Sequence, residues 1–82
     1  MTREEAYAKV VAYLTDVFEI PHEEIHPKAL LMDDLNFDSI DAVDLMVKLQ
    51  EATGRKVKPE QFEGVKTVDD LAGLVQSLHD DR

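Results

Sequence analysis

The sequence predicts an all-α domain, a small four-helix bundle with three main helices, one short helix and a long structured first loop. Apolar residues recur at helical spacing in three segments, whereas no segment alternates apolar and polar residues as a half-buried strand does. Helix-capping side chains precede these segments. The chain has 82 residues, a length that supports one small core, so we expect residues 1–82 to form a single domain.

The first helix is predicted over residues 3–18. Thr2 and Glu5 have the spacing of a capping box, in which each side chain accepts a hydrogen bond from the backbone amide of the other residue. The apolar stripe of this helix consists of Ala6, Tyr7, Val10, Val11, Leu14, Val17 and Phe18. We expect the helix to end before Pro21, because proline disfavours helical geometry in the residue that precedes it.

Residues 19–37 form a long connection that contains two prolines and several apolar residues. Residues 21–25 suit a single helical turn. A connection of this length in a small domain has to pack its own side chains onto the core or carry function. We therefore predict a structured loop, in which the recurring apolar residues are Ile20, Ile25, Leu30, Leu31 and Leu35.

Three further helices are predicted after this loop. The second opens at Asp38-Ser39 and runs to Thr53, with Gly54 as a left-handed C-terminal cap. A short helix begins at Pro59, since proline favours the first helical position. The last helix starts at a Thr67–Asp70 capping box, and its apolar stripe consists of Val68, Leu71, Leu74, Val75 and Leu78.

Composition and charge exclude several functions. Eighteen acidic residues and nine basic ones give a net charge of −9, which argues against binding to nucleic acid or to an anionic membrane. The absence of cysteine excludes disulfides, thiolate zinc sites and cysteine nucleophiles. No apolar run reaches the roughly 18 residues of a membrane span, and residues 1–5 do not resemble a signal peptide. We expect a cytoplasmic monomer.

No metal site is predicted. His22 and His26 are four residues apart, but no third ligand accompanies them, so we expect exposed histidines. The segment from Asp34 to Asp38 resembles the opening of a calcium loop. It lacks the glycine and the final glutamate that calcium coordination needs, because Ser39 and Leu45 stand at those positions.

The second helix has two apolar faces. The face that we assign to the core consists of Ala42, Leu45, Met46, Leu49 and Thr53. The opposite face consists of Ile40, Val43, Asp44, Val47 and Glu51. Either the 19–37 loop buries this second face or it is exposed as a partner surface. The two acids weigh against full burial, since unpaired buried carboxylates are costly.

The residues around Ser39 resemble a known family. The segment Leu35-Asn36-Phe37-Asp38-Ser39-Ile40-Asp41 is similar to the attachment motif of acyl carrier proteins, whose core is Asp-Ser-Leu or Asp-Ser-Ile. The resemblance covers nearly the whole chain. Residues 20–25 match the family's first loop, and residues 67–71 match the start of its last helix.

The resemblance implies that Ser39, preceded by Asp38, receives phosphopantetheine from coenzyme A through a separate phosphopantetheinyl transferase. The thiol of this arm carries acyl groups as thioesters in fatty-acid, polyketide or related lipid and polyene biosynthesis. The implied partners are the transferase, a ketosynthase and other acyl-processing enzymes. The residues at the family's docking positions are Ile40, Asp41, Val43, Asp44, Val47 and Glu51. The residues beside the space that shelters an acyl chain are Leu45, Met46 and Leu49.

We expect the chain to be a substrate of that transferase and not an enzyme, because no base is evident beside the unactivated Ser39 hydroxyl. Phe37 stands where the family commonly has glycine before the Asp-Ser pair. A basic stretch, Arg55-Lys56 with Lys58, favours a dedicated pathway over housekeeping fatty-acid synthesis. Two alternatives stay open: an aminoacyl or peptidyl carrier protein, and an unmodified acidic helical module that binds a basic partner.

Overall fold

The computed structural model describes residues 1–80 of the chain, so Asp81 and Arg82 of the predicted domain lie outside the described residues. It contains four α-helices: α1 (Arg3–Asp16), α2 (Ser39–Thr53), α3 (Pro59–Glu63) and α4 (Val68–Asp80). A 3₁₀ turn (His22–Glu24) lies in the first loop. The only extended pairing among residues 1–80 is an isolated antiparallel bridge between Leu30 and Thr67. The predicted all-α class and the three long helices with one short helix are confirmed.

Both predicted capping boxes are present. At the start of α1, the Glu5 amide donates to the Thr2 hydroxyl at 3.1 Å, and the Thr2 amide donates to the Glu5 carboxylate at 3.2 Å. At the start of α4, Thr67 and Asp70 exchange the same two bonds, each 3.1 Å long. The amide hydrogen bonds from Thr2 and Thr67 lower the pKa of Glu5 and Asp70 respectively, because they stabilise the ionised carboxylates.

The first helix ends two residues earlier than predicted, at Asp16. Glu19 then adopts a left-handed conformation with φ of 56°, and the Ile20 amide donates to the Leu14 carbonyl at 3.0 Å. Because of this turn, the chain leaves helical geometry before it reaches Ile20-Pro21. Phe18 is therefore no longer part of the helix, and its ring packs on Phe37 with 5.0 Å between the centroids.

The core lies between α1 and α4, which pack along each other, with α2 on one side. At the surface, Arg3 of α1 contacts two residues of α4. Its Nη1 forms a salt bridge with Asp69 Oδ1 at 3.2 Å, and its Nε donates a hydrogen bond to Gln76 Oε1 at 3.1 Å. The largest fully buried side chains are Val10, Leu14, Leu45, Leu49, Val68, Leu71 and Val75. Leu45 and Leu49 are the contribution of α2 to this set, as the helical spacing predicted.

The long first loop is structured, as predicted, and it is attached to the start of α4. The Val68 amide donates to the Ala29 carbonyl at 3.0 Å, and the Leu31 amide donates to the Lys66 carbonyl at 2.9 Å. The loop buries Ile25, Ala29, Leu31, Leu35 and Phe37 in the core. Of the other apolar residues of the loop, Leu30 is exposed and Ile20 is partly buried. No helix within residues 1–80 is long and apolar enough to cross a membrane.

Candidate functional site

Ser39 is the first residue of α2, and the cap of this helix is made by its neighbour Asp38. The Asp41 amide donates to Asp38 Oδ1 at 2.9 Å, and the Asp38 amide donates to Asp41 Oδ2 at 3.3 Å. This is a third capping box, built from two aspartates. Ser39 is exposed, and its hydroxyl has no hydrogen-bond partner within residues 1–80. The hydroxyl is therefore accessible to an incoming group.

The start of α2 also fits an anionic substituent on that hydroxyl. The helix has 15 residues, so the dipoles of its peptide groups favour negative charge at this end. Of the first-turn amides, that of Asp41 is used by the cap, and those of Ser39 and Ile40 have no acceptor within the helix. A phosphodiester on Ser39 would lie at the N-terminal end of α2, where free backbone amides and the helix dipole favour an anion. The residues present thus fit a phosphopantetheine group.

The second apolar face of α2 is exposed. Ile40 is 76% exposed, Val43 is 59% exposed and Val47 is 41% exposed. The residues that line a shallow groove along this face are Ser39, Ile40, Asp41, Val43, Asp44 and Val47. The first loop packs against α4 and leaves this face uncovered, so the interpretation in which it is buried is wrong. Its role as a docking surface stays a prediction.

Asp38 and Glu51 are the predicted site residues that do not line the groove. Asp38 caps the helix immediately before it, and Glu51 is exposed three turns further along α2. The structure therefore brings Ser39 and five of its six predicted docking neighbours into one continuous surface at the first half of the helix. Glu51 lies further along α2, beyond the end of that surface.

The approach to Ser39 differs from the sequence interpretation in one respect. The left-handed residue that favours glycine is Asn36, with φ of 59°, and not Phe37. Asparagine tolerates this conformation better than most residues. Phe37 is only 6% exposed, and its amide donates to the Leu31 carbonyl at 2.9 Å. The chain thus turns at Asn36 and places the Phe37 ring inside the protein, two residues before Ser39.

An apolar cavity of about 240 Å³ lies between the first loop, α2 and α3. Its lining residues are Leu31, Met32, Phe37, Ala42, Met46, Pro59, Phe62, Glu63 and Val65. Of the three residues expected beside an acyl-chain shelter, only Met46 lines this cavity. Leu45 and Leu49 are 0% exposed and lie in the core.

Several cavity residues were not singled out from the sequence. Ala42 and Met46 are four residues apart, so helical spacing already put them on one face. Pro59 and Phe62 come from α3, and no local pattern predicts which face of α2 a five-residue helix will cover. Phe37 was noted only as a departure from the family's motif.

Residues 8–75 match the family model described as a phosphopantetheine attachment site. Over 78 residues the chain is 47% identical to acyl carrier protein 2 of Ralstonia nicotianae, which covers 95% of this chain and 96% of that protein. The chain belongs to the acyl carrier protein family. The cofactor of the family is phosphopantetheine, as the resemblance implied.

Other relatives agree with this assignment. The meromycolate extension acyl carrier protein of Mycobacterium tuberculosis is 31% identical over 81 residues, which are 99% of this chain and 70% of that protein. A solved structure of a thermally stable acyl carrier protein from Enterococcus faecalis superposes with a TM-score of 0.70 at 28% identity, and covers 100% of both chains. The helical fold of this chain is therefore that of a known acyl carrier protein.

Proposed function

We propose that this chain carries acyl groups as thioesters on a phosphopantetheine arm attached to Ser39. The observation that supports this most is the exposed Ser39 hydroxyl at the first position of α2, which has no hydrogen-bond partner among the described residues 1–80 because Asp38 makes the cap. Phosphopantetheine supplies a thiol at the end of a flexible arm. The chain has no cysteine, so that thiol has no competitor within the protein.

The residues of the chain position this attachment but do not catalyse it. The free amides of the first turn of α2 favour the phosphate, and the Asp38–Asp41 capping box holds the helix start in place. Both carboxylates accept backbone amides there. We propose that the base that activates Ser39 comes from the phosphopantetheinyl transferase, so that this protein is a substrate and a carrier and not an enzyme.

The apolar cavity beside α2 suits the acyl chain. Ala42 lies on α2 three residues after Ser39, and Phe37 lies two residues before it, so this wall of the cavity is close to the attachment point. An apolar chain that enters the cavity leaves water, which is favourable in proportion to the buried area. We propose that the cavity shelters all or part of the acyl group between encounters with enzymes.

The exposed face of α2 suits the partners. Ile40, Val43 and Val47 offer apolar contacts, while Asp41, Asp44 and Glu51 offer negative charge. Residues 30–54 contain six acids and one base, so basic surfaces are attracted to this part of the molecule. We propose that the transferase, a ketosynthase and other acyl-processing enzymes bind here. We also propose one cytoplasmic domain over residues 1–82 that acts as a monomer.

The proposed pathway class is fatty-acid, polyketide or related lipid and polyene biosynthesis. One relative is named for meromycolate extension. The basic stretch Arg55, Lys56 and Lys58 gives this chain a positive segment within an acidic protein. We favour a dedicated pathway for that reason, and an acyl cargo over an aminoacyl one because of the strong acidity.

The test is modification by coenzyme A and a broad-specificity phosphopantetheinyl transferase, followed by intact-protein mass spectrometry. The wild type, purified without its arm, is expected to gain the mass of one phosphopantetheine. Ser39→Ala is expected to gain no mass and to keep its helical circular dichroism. Ser77→Ala removes another exposed serine and should be modified like the wild type. Modification of Ser39→Ala, or an unmodified wild type, contradicts the proposal; the second result favours the unmodified interaction module.

A further inference from the structure

We propose that the Phe37 ring closes one wall of the apolar cavity and thereby limits the length of the acyl chain that the cavity accepts. This inference rests on the proposed attachment of the arm at Ser39. It concerns a residue two positions before the attachment point, on the chain's own approach to α2. Phe37 is thus a specificity-determining residue and takes no part in forming or breaking bonds.

The position of the ring supports this role. Phe37 lines the cavity together with Ala42 and Met46 of α2, while Phe62 of α3 is among its other lining residues. Ala42 has a small side chain and is three residues from Ser39, so it leaves room beside the attachment point. The Phe37 ring is the largest side chain on this part of the lining. A chain that enters from Ser39 therefore meets the ring early.

The ring is held in place. Phe37 is 6% exposed, and its ring contacts the Phe18 ring, with 5.0 Å between the centroids and a tilt of 47°. Tilted aromatic pairs at this distance attract each other beyond the area that they bury. The Phe37 amide is also bonded to the Leu31 carbonyl at 2.9 Å. Packing and backbone bonding together keep the ring from swinging aside when a chain enters.

The contact of the ring with Phe18 makes the limit adjustable. Phe18 is partly buried and packs against the core, but it does not line the cavity. Phe37 thus contacts both the cavity, as a lining residue, and the region around Phe18, through its ring. A smaller side chain at position 37 opens that region to the cavity, whereas a larger one fills part of the existing volume.

The size and lining of the cavity indicate the class of cargo. A volume of about 240 Å³ exceeds the roughly 150 Å³ of a dry protein cavity that holds benzene. It suits a short, apolar, unbranched acyl chain. Glu63 is the one ionisable residue of the lining, and Leu31, Met46 and Val65 supply aliphatic contacts. We expect longer chains to leave their ends in water at the open side, where Met32 is exposed.

The experiment loads the protein with a series of acyl groups from butyryl to dodecanoyl, using the matching acyl-coenzyme A and a broad-specificity transferase. Mass spectrometry confirms loading first. The melting temperature and the rate of thioester hydrolysis are then measured for each chain length. In the wild type we expect the melting temperature to rise with chain length and then to level off where the cavity is full, with hydrolysis slowest at the same length.

Two substitutions of Phe37 are expected to move the plateau, which is the acyl-chain length at which the melting temperature levels off, in opposite directions. Phe37→Leu keeps an apolar side chain and is expected to shift the plateau to a longer acyl group. Phe37→Trp is expected to shift it to a shorter one. Tyr13→Phe changes an aromatic residue of α1 that does not line the cavity, and it should leave the plateau where it is. Phe37→Leu is preferred to Phe37→Ala because it keeps most of the packing on Phe18.

The outcomes are distinguishable. If neither Phe37 variant moves the plateau although all three proteins load, Phe37 does not set the limit and the inference is wrong. The same conclusion follows if both variants move it in one direction. If the wild type does not load at all, the proposed function itself fails. If one variant does not fold, the other still tests the inference, since a shift of the plateau in a defined direction is expected for each.

Discussion

The two apolar faces of α2 carry similar residues, but the inner face is buried and the outer face is exposed. On the inner face, Leu45 and Leu49 are 0% exposed. On the outer face, Ile40 and Val43 are more than half exposed, although they are as apolar as the leucines. The inner face contacts α4, and the first loop, which has the length to cover the outer face, is bonded to the start of α4 instead.

Apolar periodicity therefore predicts which faces of a helix form contacts, and not whether those contacts lie within the same chain. The outer apolar residues alternate with Asp41 and Asp44, and this mixture suits a surface that must stay in water between encounters. The inner face has no charged residue among its buried positions. The presence of acids between the apolar residues is therefore the sequence signal that separates the two faces.

The largest difference between the faces is expected in stability. Leu45→Ala should lower the free energy of unfolding by about 2–5 kcal/mol, because it leaves a cavity in the core. Val43→Ala should change it by less than about 0.5 kcal/mol, because the side chain is already in contact with water. Urea denaturation followed by circular dichroism measures both. Comparable losses in the two variants would mean that the outer face is buried in solution.

The acids of the outer face are expected to control association. Asp44→Lys should slow binding to the transferase by about tenfold at low salt, because it replaces attraction to a basic partner by repulsion. The difference should shrink near physiological ionic strength, where the Debye length is about 8 Å. Asp16→Lys makes the same change of charge on α1 and is the control. Stopped-flow kinetics measure the association rates. If both variants associate equally slowly, the cause is the net charge of the protein and not the outer face of α2.

The apolar residues of the outer face are expected to control dissociation. Val43→Ala should raise the dissociation rate from the transferase by about fivefold, which corresponds to roughly 1 kcal/mol of lost apolar burial. Its association rate should stay nearly unchanged. Val17→Ala, which truncates an exposed valine after α1, should have no effect on either rate. A normal dissociation rate for Val43→Ala would remove this residue from the docking surface.

A smaller effect is expected at the start of α4, to which the loop is attached. The amides of Thr67 and Lys66 lower the pKa of Asp70 below its ordinary value of 3.8, so the ionised carboxylate stabilises the folded state. This stability is complete above the unfolded pKa and is lost as pH falls through the folded pKa. At neutral pH, Asp70→Asn should cost about 0.5 kcal/mol.

The difference in melting temperature between wild type and Asp70→Asn should accordingly vanish when the pH falls well below 3.8. Thermal unfolding over a series of pH values gives this difference directly. Asp33→Asn is the control, because Asp33 is exposed and has no hydrogen bond or ion pair within residues 1–80. A pH-independent difference would show that Asp70 acts through packing and not through its charge.

The elements of the fold were largely predictable because their causes are local. The capping boxes at Thr2 and Thr67, the proline at position 59 and Gly54 with φ of 68° determine where helices begin and end within a residue or two. The end of α1 was predicted too late, since the left-handed turn at Glu19 leads the chain out of the helix before Pro21 acts. Ser39 was found through its motif, and its accessibility follows from Asp38 taking the cap.

The sequence by itself thus determined the helices, the candidate attachment residue and the two faces of α2, because side-chain spacing and capping act over a few residues. Only the tertiary structure decided which face is covered, since that depends on where residues 19–37 find backbone partners, namely at Lys66 and Val68. It also decided that Phe37 and Phe62 line one cavity with Met46. Those residues come from separate segments, and only packing brings them together.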